Sequence, residues 1–362
     1  MNNEIDKMDL NKHGFSIFQI ETIGNCNMAC TFCAYPIKED TTLVMDEKLV
    51  YNLIDQVDPK AENFQYLTFN QYNEPLMDKR IFDFIKYANS KGIKSWLTTN
   101  GLLLNREETR EKLIDAKPHF IKLSLQIVDP ETFNVAKGVR MDIKKYYHAI
   151  YQTLSLAKDK DININIDVGC NFTPPLKTRI KNILGMSKGD PAVPDMPMDL
   201  ENNLITFCQG LADFDPDFKF EKEHLRHFLQ SIGRNYDWDQ GFKLYPKISL
   251  NIKKFIFGLK LSEFEPIQSS FSCGTQIVGV VADGNVVPCC MIYDKDLSMG
   301  NANDASINEI LDRKAKWIQN IRDYNCKKED ICKRCFGEPT KKGNFFRGIK
   351  NQLGHSYRQI KK

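Results

Sequence analysis

The sequence predicts an α/β fold, in which repeated β/α units build a mostly parallel sheet and a smaller cysteine-rich unit follows. Three observations support this. Short apolar runs alternate with helix-period segments over the first two hundred residues. Strand ends run repeatedly into Gly, Asn or Cys, at Gly24-Asn25-Cys26, Asn70-Gln71-Tyr72-Asn73, Asn100-Gly101 and Gly169-Cys170. Near Cys273 the alternation gives way to Gly, Cys and short strand-like pieces. A chain of 362 residues has room for one large core and an appended unit, divided here into residues 1–250 and 251–362.

In order along the chain, strands are expected at Phe15 to Glu21, Tyr66 to Asn70, Ser95 to Thr99, Phe120 to Gln126 and Ile162 to Val168, where β-branched and aromatic residues alternate. A further strand is expected near Phe242 to Tyr245. Helical periodicity fills Asp46 to Val57, Met77 to Lys91, Asn105 to Ala116 and Ile143 to Leu156. From Asn171 to Gln268 the repetition is harder to follow: Pro174-Pro175, Pro191, Pro194 and Pro197 precede an aromatic-rich run from Phe214 to Phe242. This stretch either completes a barrel, covers its mouth or links two domains. In a parallel barrel the C-terminal strand ends form the reactive face, so the scattered Gly, Asn and Cys residues are expected to converge there.

An apolar fraction of 42%, a charged fraction of 27% and a net charge of +3 describe an ordinary globular protein. The charge is too small to ask for nucleic acid, and Lys144-Lys145, Lys253-Lys254 and Lys341-Lys342 read as solvated faces. The polar start Met-Asn-Asn-Glu-Ile-Asp does not resemble a signal peptide, and no run approaches the roughly 20 apolar residues that span a bilayer. A cytoplasmic protein without a membrane partner is expected. Six histidines show no ligand spacing, and no dinucleotide fingerprint, phosphate-loop lysine or His-Glu-x-x-His element is present in a fitting context.

The eleven cysteines cluster unevenly, which favours metal ligation over disulfides in a reducing compartment. Cys26, Cys30 and Cys33 directly follow the first strand. Their spacing offers three thiolates to a [4Fe–4S] cluster and leaves the fourth iron open to a small molecule. About 240 residues later come Cys273, Cys289, Cys290, Cys326, Cys332 and Cys335, which suggest a second metal centre.

With Phe32 among them, Cys26, Cys30 and Cys33 resemble the signature of the radical S-adenosylmethionine (SAM) enzymes. The resemblance implies a partial (β/α)6, TIM-like barrel. It also implies a cluster whose open iron chelates the methionyl group of SAM, and one-electron cleavage to a 5′-deoxyadenosyl radical. Phe32 would lie near the adenine, although it reads equally as a hydrophobic support of the loop. Asn73-Glu74-Pro75-Leu76 resembles the family's Gly-Gly-Glu-Pro element, with Tyr72 and Asn73 in place of the glycines, and Glu74 would orient the cofactor's amino group. Ser124 and Gln126 share one strand face. They match the ribose-binding strand, with Gln126 where an acidic residue is often found. Thr98, Asn100 and Gly101 match the third-strand end, and ordinary strand and turn chemistry is their alternative.

Gly284 before Cys289-Cys290, Gly300-Asn301, and Cys326-x5-Cys332-x2-Cys335 resemble the auxiliary-cluster extension called SPASM, or its shorter form, twitch. Cys273, Cys289, Cys332 and Cys335 are the expected ligands of one auxiliary [4Fe–4S] cluster. Cys290 and Cys326 are replacements or neighbouring thiols, and a four-cysteine zinc site is the structural alternative.

The resemblance implies hydrogen abstraction from substrate, with reduced flavodoxin or ferredoxin as electron donor. Oxidation or epimerisation of a carbohydrate or aminocyclitol-like metabolite is the expected reaction, with peptide modification as the alternative and a non-catalytic iron-sulfur protein as the second. The small polar metabolite is favoured because the segment before Phe15 is too short for a peptide-recognition domain. Cys170, at the end of the fifth strand, is the candidate for returning a hydrogen atom to a substrate radical; a buried free thiol is its plain alternative.

Overall fold

The computed structural model describes residues 7–126, 128–170, 200–235, 241–254, 264–267, 273–292, 297–322, 330–337, 341–345 and 349. Five β/α units come first. Strands β1 (Ile17–Ile20), β2 (Tyr66–Thr68), β3 (Ser95–Thr99), β4 (Phe120–Gln126) and β5 (Asn163–Cys170) lie side by side and parallel. Helices α1 (Glu47–Asp55), α2 (Ile81–Ser90), α3 (Glu107–Ala116), α4 (Pro130–Lys137) and α5 (Ile143–Ala157) fall in the crossovers, because a parallel neighbour can be reached only by a long return. The expected strands and helices of this half coincide with these elements. Helix α4 was not foreseen: it occupies only eight residues, opening on Pro130, whose fixed φ suits a first helical turn.

Strand β4 shows how the layers arise. Ile121, Leu123 and Leu125 are buried in the main core, whereas Phe120, Lys122, Ser124 and Gln126 on the opposite face are half-buried. Side-chain alternation thus sends the aliphatic residues into the helix-packed core and leaves a polar face on the other side of the sheet. Where β4 meets β5 the register shifts between Leu123 and Gln126, and Gln126 adopts a left-handed φ of 58°.

The later part of the chain supplies α6 (Leu200–Phe214), α7 (Lys222–Asn235), β6 (Gly241–Tyr245) and β7 (Ile248–Lys254). The strand expected near Phe242 to Tyr245 is β6, but it runs antiparallel to β7. It is β7, pairing parallel with β5 from Ile164↔Ile248 to Cys170↔Lys254, that adds the sixth barrel strand. The division between residues 250 and 251 falls inside β7.

Beyond it, β8 (Ile277–Val280) pairs parallel with β1, and β9 (Asn285–Val287) and β10 (Gly300–Asn301) extend the edge antiparallel. The resulting ten-stranded sheet has the order β10-β9-β8-β1-β2-β3-β4-β5-β7-β6. Helices α8 (Ile307–Arg322) and α9 (Asp330–Cys335) follow. A buried ion pair ties this edge to the barrel: Lys38 donates to Glu21 at 2.7 Å, and Glu21 also accepts from the amides of Tyr72 and Ala282. No described helix is long and apolar enough to cross a membrane.

Candidate active site at the strand ends

The loop Cys26–Cys33 leaves the C-terminal end of β1, and the neighbouring strand ends hold it in place. The amide of Glu74 donates to the carbonyl of Asn25 at 2.9 Å, fastening the turn after β2 to the residue before Cys26. The Asn100 side chain donates to Asn27 Oδ1 at 2.7 Å and reaches the Cys26 sulfur at 3.7 Å. The Tyr35 amide donates to the Cys33 sulfur at 3.4 Å. Three strand ends therefore meet at the cysteine loop, as the sequence predicts for a reactive face.

Glu74 is fully buried and caps the short 3-10 helix Pro75–Met77. Its Oε1 accepts from the Leu76 amide at 3.1 Å and the Thr99 hydroxyl at 2.6 Å, and its Oε2 accepts from the Asn100 amide at 2.7 Å. Burial raises its pKa to about 7, against the lowering effect of those donors. Thr99 is thus the β3 residue that engages Glu74, while the hydroxyl of Thr98 is buried without a hydrogen-bond partner among the described residues. The Asn25 side-chain oxygen is in the same condition. Two unfilled polar positions, one just before the loop and one on β3, fit a polar ligand.

All three thiols of the loop are desolvated. Cys26 is pushed up to about 12 by burial and then by Glu74, Cys33 up to about 11 by burial, and Cys30 upward by burial. Such thiols stay protonated at neutral pH until a metal displaces the proton. Amide donors directed at sulfur, at Cys33 and Cys26, suit a cluster ligated by thiolates.

Lys137 completes the site, and sequence reasoning missed it. Its side chain is 1% exposed and donates to the Ser124 carbonyl at 2.8 Å and to Gln126 Oε1 at 2.6 Å, with its ammonium 5.5 Å from the centre of the Phe32 ring. Burial lowers its pKa, and the charges of Cys30, Cys26 and Cys33 pull it back up. Ser124 and Gln126 do share a strand face, as expected, and both are engaged by Lys137. A lysine one residue before a glycine reads as an ordinary helix end, so sequence alone offers no signal for it.

Cys170 ends β5 opposite Lys254; its side chain lies outside the described ones. Cys208 is a core thiol of α6, fully buried beside Phe207 and pushed up to about 12 by burial.

A second group of thiols lies beside β1 and β8. Cys273, Cys289, Cys290, Cys332 and Cys335 line one cavity of about 440 Å³, closed on its apolar side by Ile17 of β1 and Ile277 of β8. Burial raises the pKa of Cys289, and Cys290, Cys273 and Cys335 raise it further by their charge. The four expected ligands are therefore brought together, and Cys290 joins them; Cys326 lies outside the described residues. Among the described residues no three His, Cys, Asp or Glu side chains close around a single metal ion.

Comparison with known proteins agrees with this geometry. Residues 20–175 match the radical SAM superfamily, and residues 272–336 match SPASM, an iron-sulfur cluster-binding domain. An uncharacterized protein of Methanocaldococcus jannaschii is 27% identical over 139 residues, 38% of this chain and 42% of the relative. The tungsten-containing aldehyde ferredoxin oxidoreductase cofactor-modifying protein of Pyrococcus furiosus is 27% identical over 92 residues, 25% of this chain and 26% of the relative. The chain thus covers less than half the length of either curated relative. Among solved structures, Streptococcus suis SuiB bound to its precursor peptide SuiA superposes with a TM-score of 0.50 at 16% identity, over 83% of this chain and 66% of SuiB. With the cysteine loop at the barrel's strand ends and the thiol-lined cavity beside β1 and β8, the chain carries a radical SAM domain over residues 20–175 and a C-terminal SPASM iron-sulfur cluster-binding domain over residues 272–336.

Proposed function

We propose that the protein is a radical SAM oxidoreductase or epimerase. The observation that carries this is the convergence of Glu74, Thr99 and Asn100 on the Cys26–Cys33 loop. A [4Fe–4S] cluster on Cys26, Cys30 and Cys33 would supply one-electron cleavage of SAM to a 5′-deoxyadenosyl radical that removes a substrate hydrogen atom. Glu74, already fixed by three donors, holds the turn after β2 against the loop and presents a carboxylate edge to the cofactor's ammonium. The Thr98 hydroxyl and Asn25 side-chain oxygen remain to receive polar groups of SAM, and Phe32 offers an apolar surface to its adenine. Cys273, Cys289, Cys332 and Cys335 would hold one auxiliary [4Fe–4S] cluster. Cys170 remains the candidate hydrogen donor in an epimerisation. Reduced flavodoxin or ferredoxin is the proposed electron donor, and the cytoplasm the proposed location.

On substrate, the peptide reading stands ahead of the aminocyclitol reading, supported by SuiB, a fold neighbour crystallised with its precursor peptide. A small polar metabolite is the second reading, favoured by one observation. On the Ser124 and Gln126 face of β4, Lys122 pairs with Asp167 at 3.0 Å and lies 5.6 Å over Trp96, a charged and aromatic surface suited to a polar ligand.

The test is anaerobic reconstitution followed by SAM and dithionite. About eight iron and eight sulfide per chain, with 5′-deoxyadenosine formed and lost in Cys30→Ala, is the expected result. A fully loaded chain that makes no 5′-deoxyadenosine overturns the enzyme reading. About four iron with one zinc turns the C-terminal cysteines into a structural site. Deuterium carried into 5′-deoxyadenosine from perdeuterated peptides or from perdeuterated aminocyclitols decides the substrate class.

A further inference from the structure

Lys137 is the last residue of α4 and lies in the core of the protein, yet among the described residues no carboxylate forms an ion pair with it. Its partners are two neutral acceptors, the Ser124 carbonyl and the Gln126 side chain, and the face of Phe32. A buried ammonium with only neutral partners is costly, so a compensating negative charge is expected nearby. The groups that act on it by charge are the thiols of Cys30, Cys26 and Cys33, which become anionic when they ligate a metal, and, least of the four, the Glu74 carboxyl.

The distance between helix and loop is fixed by the backbone. The Ala29 amide donates to the Lys137 carbonyl at 3.1 Å, and the Thr31 amide to the Ala136 carbonyl at 2.9 Å. Gly138 follows with φ +61°, where an added Cβ would stand 2.4 Å from the Ala29 carbonyl oxygen. The helix end can lie this close to the cysteine loop only because that position carries no side chain. The ammonium is therefore not a flexible surface charge but one built into the wall of the site.

We propose that Lys137 is the fixed counter-charge of the Cys26–Cys33 centre, favouring its reduced state and its retention. The inference rests on the cluster assignment under Proposed function. Three thiolates on a [4Fe–4S]2+ core carry one net negative charge, and one electron, supplied by dithionite in the test, makes it two. A fixed positive charge in a low-dielectric wall favours the more negative form and raises the reduction potential. Gln126 and the Ser124 carbonyl, by holding the ammonium, act through it.

The test uses the full chain, reconstituted anaerobically without SAM and titrated with dithionite while the reduced clusters are followed by electron paramagnetic resonance. The signal that changes when SAM is added marks the cluster with the open iron. The expected result is that Lys137→Met lowers the reduced-to-oxidised ratio of that cluster at a given potential at least tenfold, equivalent to about 59 mV for one electron. Lys137→Arg is expected to stay within threefold of wild type, and the auxiliary signal to stay unmoved. If Lys137→Met and Lys137→Gln lose this cluster's iron while Lys137→Arg keeps it, and all the metal-free variants unfold at the wild-type temperature, the charge is needed to retain the cluster and the proposal stands. An unchanged ratio in a fully loaded Lys137→Met overturns it. So does a lowered unfolding temperature in metal-free Met and Gln variants with no change in potential, which makes Lys137 a packing residue. A wild-type chain that loads iron only at its C-terminal cysteines overturns the cluster assignment itself, a failure separate from that of Lys137.

Discussion

Glu74 illustrates how much one residue's surroundings alter its chemistry. Burial raises its carboxyl to about 7, above the ordinary glutamate value of 4.5, although three donors work in the other direction. A folded-state pKa above the unfolded one means that the folded chain binds the proton more tightly. The stabilisation is complete below about pH 4.5 and is lost as pH rises through about 7, a change of about 3 kcal/mol for a shift of this size. Denaturant unfolding of the metal-free protein between pH 4 and 8 should show that decline, and Glu74→Gln should flatten it. A wild-type profile with no slope over this range would contradict the buried, proton-binding carboxyl. Of the residues singled out in sequence, Glu74 and Asn100 meet at the loop, and the carboxylate's hydroxyl donor is Thr99, which sequence did not single out. Strand alternation places neighbours on opposite faces without saying which face the turn will use.

At the scale of elements, two glycines separate backbone strain from close approach. Gly92 follows α2 with φ +74° and open space around it, whereas Gly138 follows α4 with φ +61° and the Ala29 carbonyl oxygen in the path of a Cβ. Gly92→Ala should cost about 1 kcal/mol, from the left-handed backbone alone. Gly138→Ala should cost more and also push α4 from the cysteine loop, so iron at the first centre should fall while the auxiliary centre stays loaded. Equal losses of stability in the two variants, with iron unchanged, would remove the special role given to the α4 junction. Helix α9 provides the second case. Cys332 and Cys335 are three residues apart and therefore share a helix face, and both line the cavity together with Cys289. Alanine at Cys273, Cys289, Cys332 or Cys335 should each reduce iron from about eight to about four per chain, whereas Cys290→Ala should leave about eight. Loss of iron in Cys290→Ala with retention in Cys273→Ala would exchange those two ligands.

For the whole molecule, the barrel and the C-terminal unit share one sheet. Strand β8 pairs with β1 over four residue pairs, and Glu21, at the end of β1, accepts both from Lys38 and from the Ala282 amide beyond β8. The Glu21 and Lys38 side chains are 0% and 3% exposed, so neither charge can turn to water if its partner is removed. Glu21→Ala should therefore destabilise the protein by about 3–5 kcal/mol, and adding Lys38→Met should recover part of the loss. Unfolding of the wild type should follow a single transition by near-ultraviolet circular dichroism and by Trp fluorescence. Two separated transitions would show that the strand pairing does not couple the units.

What the sequence by itself determined is the chemistry-bearing pattern and the β/α repeat. Cys26, Cys30 and Cys33 sit after a strand, and the first five strands and their principal helices are legible because hydrophobic periods of two and 3.6 residues are local properties. The cysteines from 273 to 335 were recognisable as a group by spacing. Tertiary structure alone decided that β6 is antiparallel and that β7 closes the parallel set, because strand direction depends on pairing across the sheet and not on composition. It alone brought Cys290 into the cavity with the other four thiols and attached β8 to β1. It also placed Lys137 beside the first cysteines, from more than a hundred residues away in sequence. The Ser124 carbonyl and Gln126 hold its amino group in place inside the core, and burial is a property of the packed chain rather than of any short stretch of it.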